Sequence, residues 1–474
     1  MSEDTTSPKV RTHILCFDGT ANEYDSENTN VVKFFALLKK DNCDDQLCYY
    51  QIVNFGLCGL ADSTGTFFAP GVVSPLFQWC AKILDEAFAW YLNAHVMDGY
   101  RFLMQNYRAG DKICLFGFSR GAYTARALAG MLYKVGLLPR DNQEQIPFAY
   151  KLYTRTDAAG IKLSAGFKQT YCQPVQIEFL GVWDTVASVG VIATKTLLFT
   201  SDNGSIKTFR QALSLDEHRA RFKPNLFHRE TVDAQGLSAI NGRPAEIHPQ
   251  IRADLENQRM RSPNGMSRTL SDYFRHKKAA NPETLNFLVK GEDTSTSDTD
   301  VLEVWFAGCH SDIGGGSVPN STKDSLSDIS LRWMIRQVME SQCGIKFNED
   351  ALTQHFETTS IISRLSQADN SPTNDGNANT SWKALDIVDA VQPLHDELVL
   401  QPAWWLLEIL PMQSRYQDAN CQWHTSYGWN LGRGRQIYLP KPYFHVTVRH
   451  REEDQALGYK PKARWQKGTE IYVE

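Results

Sequence analysis

The chain has 474 residues, with 49 Lys+Arg against 54 Asp+Glu and a formal net charge of −5. At 42% hydrophobic and 22% charged residues it is neither disordered, collagenous nor coiled-coil in composition. The mild acidity argues against nucleic acid as a partner, and the short basic run Arg275-His276-Lys277-Lys278 reads as solvated surface. The N-terminus carries Glu3 and Asp4 where a signal peptide needs positive charge, and no stretch approaches the roughly 20 apolar residues of a membrane span. The ten cysteines show no CxxC spacing. These features lead to the expectation of a cytoplasmic protein with buried thiols and without metal or cofactor.

In chain order, short apolar runs alternate with helical periodicity. His13–Phe17 predicts a strand ending in the turn Asp18-Gly19-Thr20, and Cys48–Val53 a second strand. Residues 77–107 predict a helix, with Ala, Leu, Trp and Phe recurring at three- and four-residue spacing. Lys112–Phe116 predicts a third strand that feeds a helix from about Arg120 to Val135. Val175–Val182 and Val301–Ala307 predict the fourth and fifth strands, and Leu331–Glu340 a further helix. Nearly all-apolar strands separated by helices imply βαβ crossovers, and so an α/β fold with a mostly parallel sheet covered on both faces. Residues 225–300 read as a long polar insertion placed to act as a lid, and 367–380 as a second polar loop. The expected organisation is a catalytic domain over 10–340 and an aromatic-rich C-terminal extension, 341–474, packed on it. Within the extension, Trp404–Leu410 reads as a helix packed on the core, or else as a segment that meets acyl chains or a membrane surface.

The sharpest motif is Gly117-Phe118-Ser119-Arg120-Gly121, a G-x-S-x-G directly after a strand and before a helix. A serine on such an elbow sits in strained backbone, and glycines two residues to either side remove the clash between its neighbours. The turn presents Ser119 Oγ at the positive end of the following helix, with the Arg120 N–H aimed where an oxyanion would form. A serine needs a base and the base an orienting acid. In α/β-hydrolases these follow in the order Ser, Asp/Glu, His. Asp184 closes the fourth predicted strand and His310 follows the fifth, which makes Ser119, Asp184 and His310 the preferred set. His395 is the rival base, and Asp312 is the alternative acid or a turn cap. The early loop at Gly19 and Thr20 is the natural source of a second oxyanion donor, with Asp18 bracing that loop or the histidine.

These residues resemble a known family. Phe17-Asp18-Gly19-Thr20, the elbow continued through Ala122-Tyr123-Thr124-Ala125-Arg126, Gly181-Val182-Trp183-Asp184-Thr185-Val186 and Gly308-Cys309-His310-Ser311-Asp312-Ile313-Gly314-Gly315 are similar to the catalytic domain of the type VI secretion phospholipase effectors. The likeness extends to Leu215-Asp216-Glu217, Arg219, Phe222 and Leu326-Ser327-Asp328, and covers roughly residues 10–340. It implies an α/β-hydrolase core, a Ser–Asp–His triad and hydrolysis of carboxylic esters, phospholipids among them. In that family a tyrosine pair is soon followed by a Gly-Thr turn. Here Ile52–Ser63 separates Tyr49-Tyr50-Gln51 from Thr64-Gly65-Thr66, as a loop or as an intron left in the gene sequence.

The expectation is thus a serine hydrolase that forms an acyl-enzyme on a small-molecule ester or a phospholipid, with peripheral membrane contact. Two other classes stay in view. Asp-Gly-Thr after the first strand recurs in aspartate-based phosphatases, but their nucleophile position is Cys16 here. The same fold can also serve as a non-catalytic binding scaffold.

Overall fold

The computed structural model describes residues 9–20, 26–53, 92–186, 203–227, 299–356 and 382–474. Residues 228–298 of the polar insertion, the 367–380 loop, residues 77–91 of the predicted helix and the segment from 54 to the Gly-Thr turn lie outside the described residues.

Among the described residues, eight strands form one sheet: β1 Thr12–Thr20, β2 Gln46–Val53, β3 Lys112–Phe118, β4 Ile177–Trp183, β5 Ile206–Ser214, β6 Asp300–Phe306, β9 Tyr443–His445 and β10 Ile471–Val473. Their order is β10-β9-β6-β5-β4-β3-β1-β2, and every neighbouring pair is parallel. A separate antiparallel pair joins β7 Met412–Gln417 to β8 Trp423–Gly428. With helices on both faces, the sheet is that of an α/β-hydrolase-like fold.

Side chains of a strand alternate between faces, and here each face has its own core. Leu15, Phe17, Ile113 and Leu115 point to one side, against helical residues 92–106 (α2), α3 Ser119–Val135, α4 Ile146–Thr154 and α5 Ala158–Tyr171. Ile14, Cys16, Cys114, Phe116 and Phe118 point to the other, against α1 Asn30–Leu37 and α7 Leu326–Glu340. Burial on both faces is why these strands read as continuous apolar runs.

Two features differ from the sequence expectation. The strand β5 was not foreseen, and β9 and β10 extend the sheet from residues beyond 340. The segment Trp404–Leu410 is no packed helix. It holds a 3-10 turn, Pro402–Trp404, and a single helical turn, Trp405–Glu408, whose buried residue is Glu408. A helix of one turn has too few backbone bonds to stand without a packed face. Trp405, Leu406 and Ile409 are exposed instead, while Trp404 packs on Phe222.

The chain runs from β1 to β2 on one side, then returns to lay down β3, β4, β5 and β6 on the other. That reversal, between β1 and β3, is the topological switch at which open parallel sheets form a crevice beyond their carboxyl ends. Ser119 follows directly on β3, Asp184 on β4, and Asp18 lies at the end of β1.

Candidate active site

The elbow is tight. Ser119 has φ +56°, a left-handed conformation that non-glycine residues rarely adopt. A Cβ on Gly117 would lie 2.6 Å from Ala122 N and the Gly121 carbonyl; one on Gly121 would lie 2.2 Å from Phe17 O and 2.3 Å from Asp18 O. Glycine at 121 therefore lets α3 start against the backbone of β1. Phe118, the residue before the helix, provides no side-chain cap. The first turn's N–H groups thus point toward the crevice with their partial positive charge.

Ser119 Oγ lies 2.8 Å from His310 Nε2, and His310 Nδ1 lies 2.6 Å from Asp184 Oδ2. The two bonds fix one tautomer, with the proton on Nδ1 donated to Asp184 and Nε2 accepting from the serine. His310 opens the short helix α6 His310–Gly314, just past β6. Its ring is packed between Phe118 (4.6 Å between centroids) and Phe222 (4.9 Å, edge-on). Gly314 makes room for Phe118, since a Cβ there would lie 1.9 Å from the ring. Burial pushes the His310 pKa below its usual value, and the bond to Asp184 only partly offsets this.

Asp184 is fully buried, at φ +39°. Its N–H donates to Ala212 O (2.8 Å), and its Oδ1 accepts the Ser214 N–H (3.0 Å), so β5 holds it at both ends. Burial alone would raise its pKa. The Arg435 guanidinium and His310 outweigh that and hold the carboxyl well below the usual range.

The remaining sequence-predicted residues divide as follows. Asp18 is fully buried and braces the early loop: it accepts Thr29 Oγ1 (2.7 Å), Tyr50 OH (2.8 Å) and the Gly19 N–H (2.6 Å). The Gly19 N–H is thereby bonded to a carboxylate. Asp312 does not meet His310. It accepts the Cys309 N–H (2.9 Å), the His395 N–H (3.0 Å) and His395 Nδ1 (2.7 Å). His395 therefore pairs with Asp312, while His310 is the histidine on Ser119. Cys16, at the phosphatase nucleophile position, lies in the apolar core, where burial pushes its thiol pKa far up.

Several supporting residues enter the sequence reading only as part of the family likeness, with no role assigned. Glu217 Oε2 accepts the His310 N–H (3.3 Å) and pairs with Arg219 (2.8 Å). Arg219 stacks on Phe222, 3.7 Å above the ring, and Trp404 meets Phe222 edge-on at 5.5 Å. Asp216 accepts the Gly308 N–H (2.7 Å) and fixes the approach to His310. The signal for this group was the Leu215–Phe222 segment itself, dense in charged residues yet buried. Arg435 had no local signal.

Fold and site together define the class: an α/β-hydrolase-like protein with a serine elbow. The family described as T6SS, phospholipase effector Tle1-like, catalytic domain matches residues 11–337, and the chain belongs to it. It is 27% identical over 534 residues to the uncharacterized protein YEL023C of Saccharomyces cerevisiae, a match that covers 90% of this chain and 76% of that protein. Among solved structures it is similar to an uncharacterized protein from Pseudomonas aeruginosa (17% identity, TM-score 0.34, covering 80% of this chain and 53% of that one). It is also similar to the Tle1 effector bound to the VgrG spike of the Type 6 secretion system (17% identity, TM-score 0.30, covering 66% and 52%). The chain spans about half the length of these two solved chains. Family membership supports lipase or phospholipase hydrolysis as the general activity. Among the described residues no helix is long and apolar enough to cross a membrane.

Proposed function

We propose that the protein is a serine hydrolase of carboxylic esters that acts on lipid esters through an acyl-enzyme. The observation that carries this reading is the continuous line Ser119 Oγ, His310 Nε2, His310 Nδ1, Asp184 Oδ2, with its 2.8 Å and 2.6 Å contacts at the carboxyl edge of a parallel sheet. Ser119 Oγ attacks the ester carbonyl as its proton passes to His310 Nε2. The imidazolium is held by Asp184 through Nδ1–H. The oxyanion is met by the Arg120 N–H at the head of α3 and by the early loop, where Thr20 is the donor to test first, because the Gly19 N–H is bonded to Asp18. His310 returns its proton to the leaving alcohol. Water, deprotonated by the same histidine, then releases the acid.

Lipid as the substrate class is supported by the family. It is also supported by the apolar face near the site: Val399, Leu400, Trp405, Leu406 and Ile409 are exposed, and the neighbouring Trp404 packs on Phe222, which packs on His310. A fluorophosphonate probe together with a panel of p-nitrophenyl esters and phospholipids tests the reading. Wild type should label and turn over esters, and Ser119→Ala should do neither. Absence of labelling in wild type, or undiminished labelling of Ser119→Ala, sinks it.

A further inference from the structure

Arg435 lies almost a hundred residues beyond the last position matched by the family, yet its side chain ends on Asp184. Its guanidinium donates from Nη1 to Asp184 Oδ1 (2.6 Å) and to Ser214 O (3.0 Å), and from Nη2 to Asp184 Oδ2 (2.9 Å) and to Phe222 O (2.5 Å). We propose that Arg435 is a positioning residue for ester hydrolysis: it clamps both oxygens of Asp184, and Asp184 in turn holds the His310 ring on Ser119. The inference rests on the serine-hydrolase reading.

Three observations support it. First, the planar fork of a guanidinium matches both oxygens of a carboxylate, which a lysine ammonium cannot do. Second, Asp184 is fully buried, and a buried carboxylate without a charge partner is costly. Among the described residues of the family-matched part, its side chain receives the Ser214 N–H and the His310 ring. The other charges around His310, Glu217 and Arg219, are paired with each other, so the charge balance of Asp184 falls on Arg435. Third, Arg435 is itself held in place. A Cβ on Gly434 would lie 1.8 Å from Lys462 O, Arg464 N–H donates to Arg435 O (2.8 Å), and Ala463 N–H donates to Leu215 O (2.8 Å). The residue thus rides on a two-segment ribbon fastened to the chain just after β5.

A clamp that merely joined the extension to the core would affect stability and not the behaviour of the histidine. The test uses the full chain as wild type, Arg435→Lys and Arg435→Met, with Ser119→Ala as blank. It records kcat/KM against pH on a soluble p-nitrophenyl ester, the rate of fluorophosphonate labelling, and near-UV circular dichroism as a folding check. Catalysis needs neutral His310, so kcat/KM rises with pH along an acid limb. In Arg435→Met the uncompensated Asp184 holds the imidazolium more firmly. That limb should move up by about one pH unit, with a loss on the order of 10²-fold at the optimum from the loosened ring. Arg435→Lys should recover part of the rate and bring the limb back toward wild type. If Arg435→Met does not fold, the position of the limb in Arg435→Lys decides, and a limb identical to wild type with an undiminished rate overturns the proposal. A folded Arg435→Met with an unmoved limb overturns it as well. Failure of wild type to label is a different outcome: it removes the serine-hydrolase reading, and this inference with it.

Discussion

Ser119 and Asp184 both hold positive φ, +56° and +39°, which for non-glycine residues costs on the order of 1–3 kcal/mol each. Each is held there by its surroundings: Ser119 by the elbow glycines, Asp184 by the Ala212 carbonyl and Ser214 N–H on β5. Asp18 bears a load of another kind. Burial pushes its pKa up to about 6, although Thr29, Gly19 and Tyr50 pull in the opposite direction. A carboxyl that binds its proton more tightly when folded stabilises the fold at low pH, and that contribution is lost as pH rises through the folded value. Between about pH 4 and pH 6 Asp18 should therefore withdraw about 3 kcal/mol. Urea denaturation of wild type and Asp18→Asn at pH 4 and pH 7 checks this. The stability difference between the two proteins should shift by that amount in favour of the Asn variant at pH 7, and a pH-independent difference would contradict the assignment.

At the scale of elements, the contact between α3 and β1 has no slack. Gly121→Ala forces a Cβ into the backbone oxygens of Phe17 and Asp18, so it should destabilise by about 1–3 kcal/mol and disturb the early loop. Thermal unfolding read beside ester turnover measures both effects; a variant as stable as wild type would show that the elbow can open. Legibility in the sequence follows the same geometry. Strands buried on both faces announce themselves: His13–Phe17 falls inside Thr12–Thr20, and Lys112–Phe116 inside Lys112–Phe118. The strand β5 escapes because Lys207, Thr208, Arg210 and Gln211 interrupt its apolar run. Two of these are buried all the same, Arg210 on Asp300 and Gln337, and Gln211 on Arg126, Thr185 and Glu303. A polar residue with buried partners far along the chain looks like a loop residue when read locally. The same reason hides Arg435, whereas Ser119 and His310 each follow closely on an apolar strand run that a local reading can recognise. The three-residue strands β9 and β10 are too short for alternation to be seen at all.

At the scale of the whole molecule, the site lies beside a surface of outward-facing aliphatic and indole side chains. Trp405, Leu406, Ile409 and Leu431 are exposed, and the 405–409 turn is tied to the 430–432 loop by Glu408, which accepts Asn430 Nδ2 (2.7 Å) and the Gly432 N–H (2.9 Å). If lipid aggregates are the working substrate, the double variant Leu406→Ser, Ile409→Ser should lower turnover of vesicle phospholipid by roughly tenfold. Turnover of a soluble p-nitrophenyl ester should stay unchanged. Equal losses on both substrates would mean that the face supports the fold and not lipid capture.

The sheet order also bears on how the molecule is assembled. β6 pairs Val304 with Tyr443, so β9 closes over a sequence separation of well over a hundred residues, and β10 can pair only once β9 is in place. Pairings of that range form slowly, because loop-closure entropy must be overcome before the contacts that reward it are made. A chain emerging from its N-terminus brings out Ser119 first, Asp184 next, His310 third, and Arg435, whose guanidinium closes on Asp184, more than three hundred residues after the serine. The order of synthesis thus sets an order of assembly: Ser119 leaves the ribosome long before the Arg435 guanidinium that completes its line of hydrogen bonds.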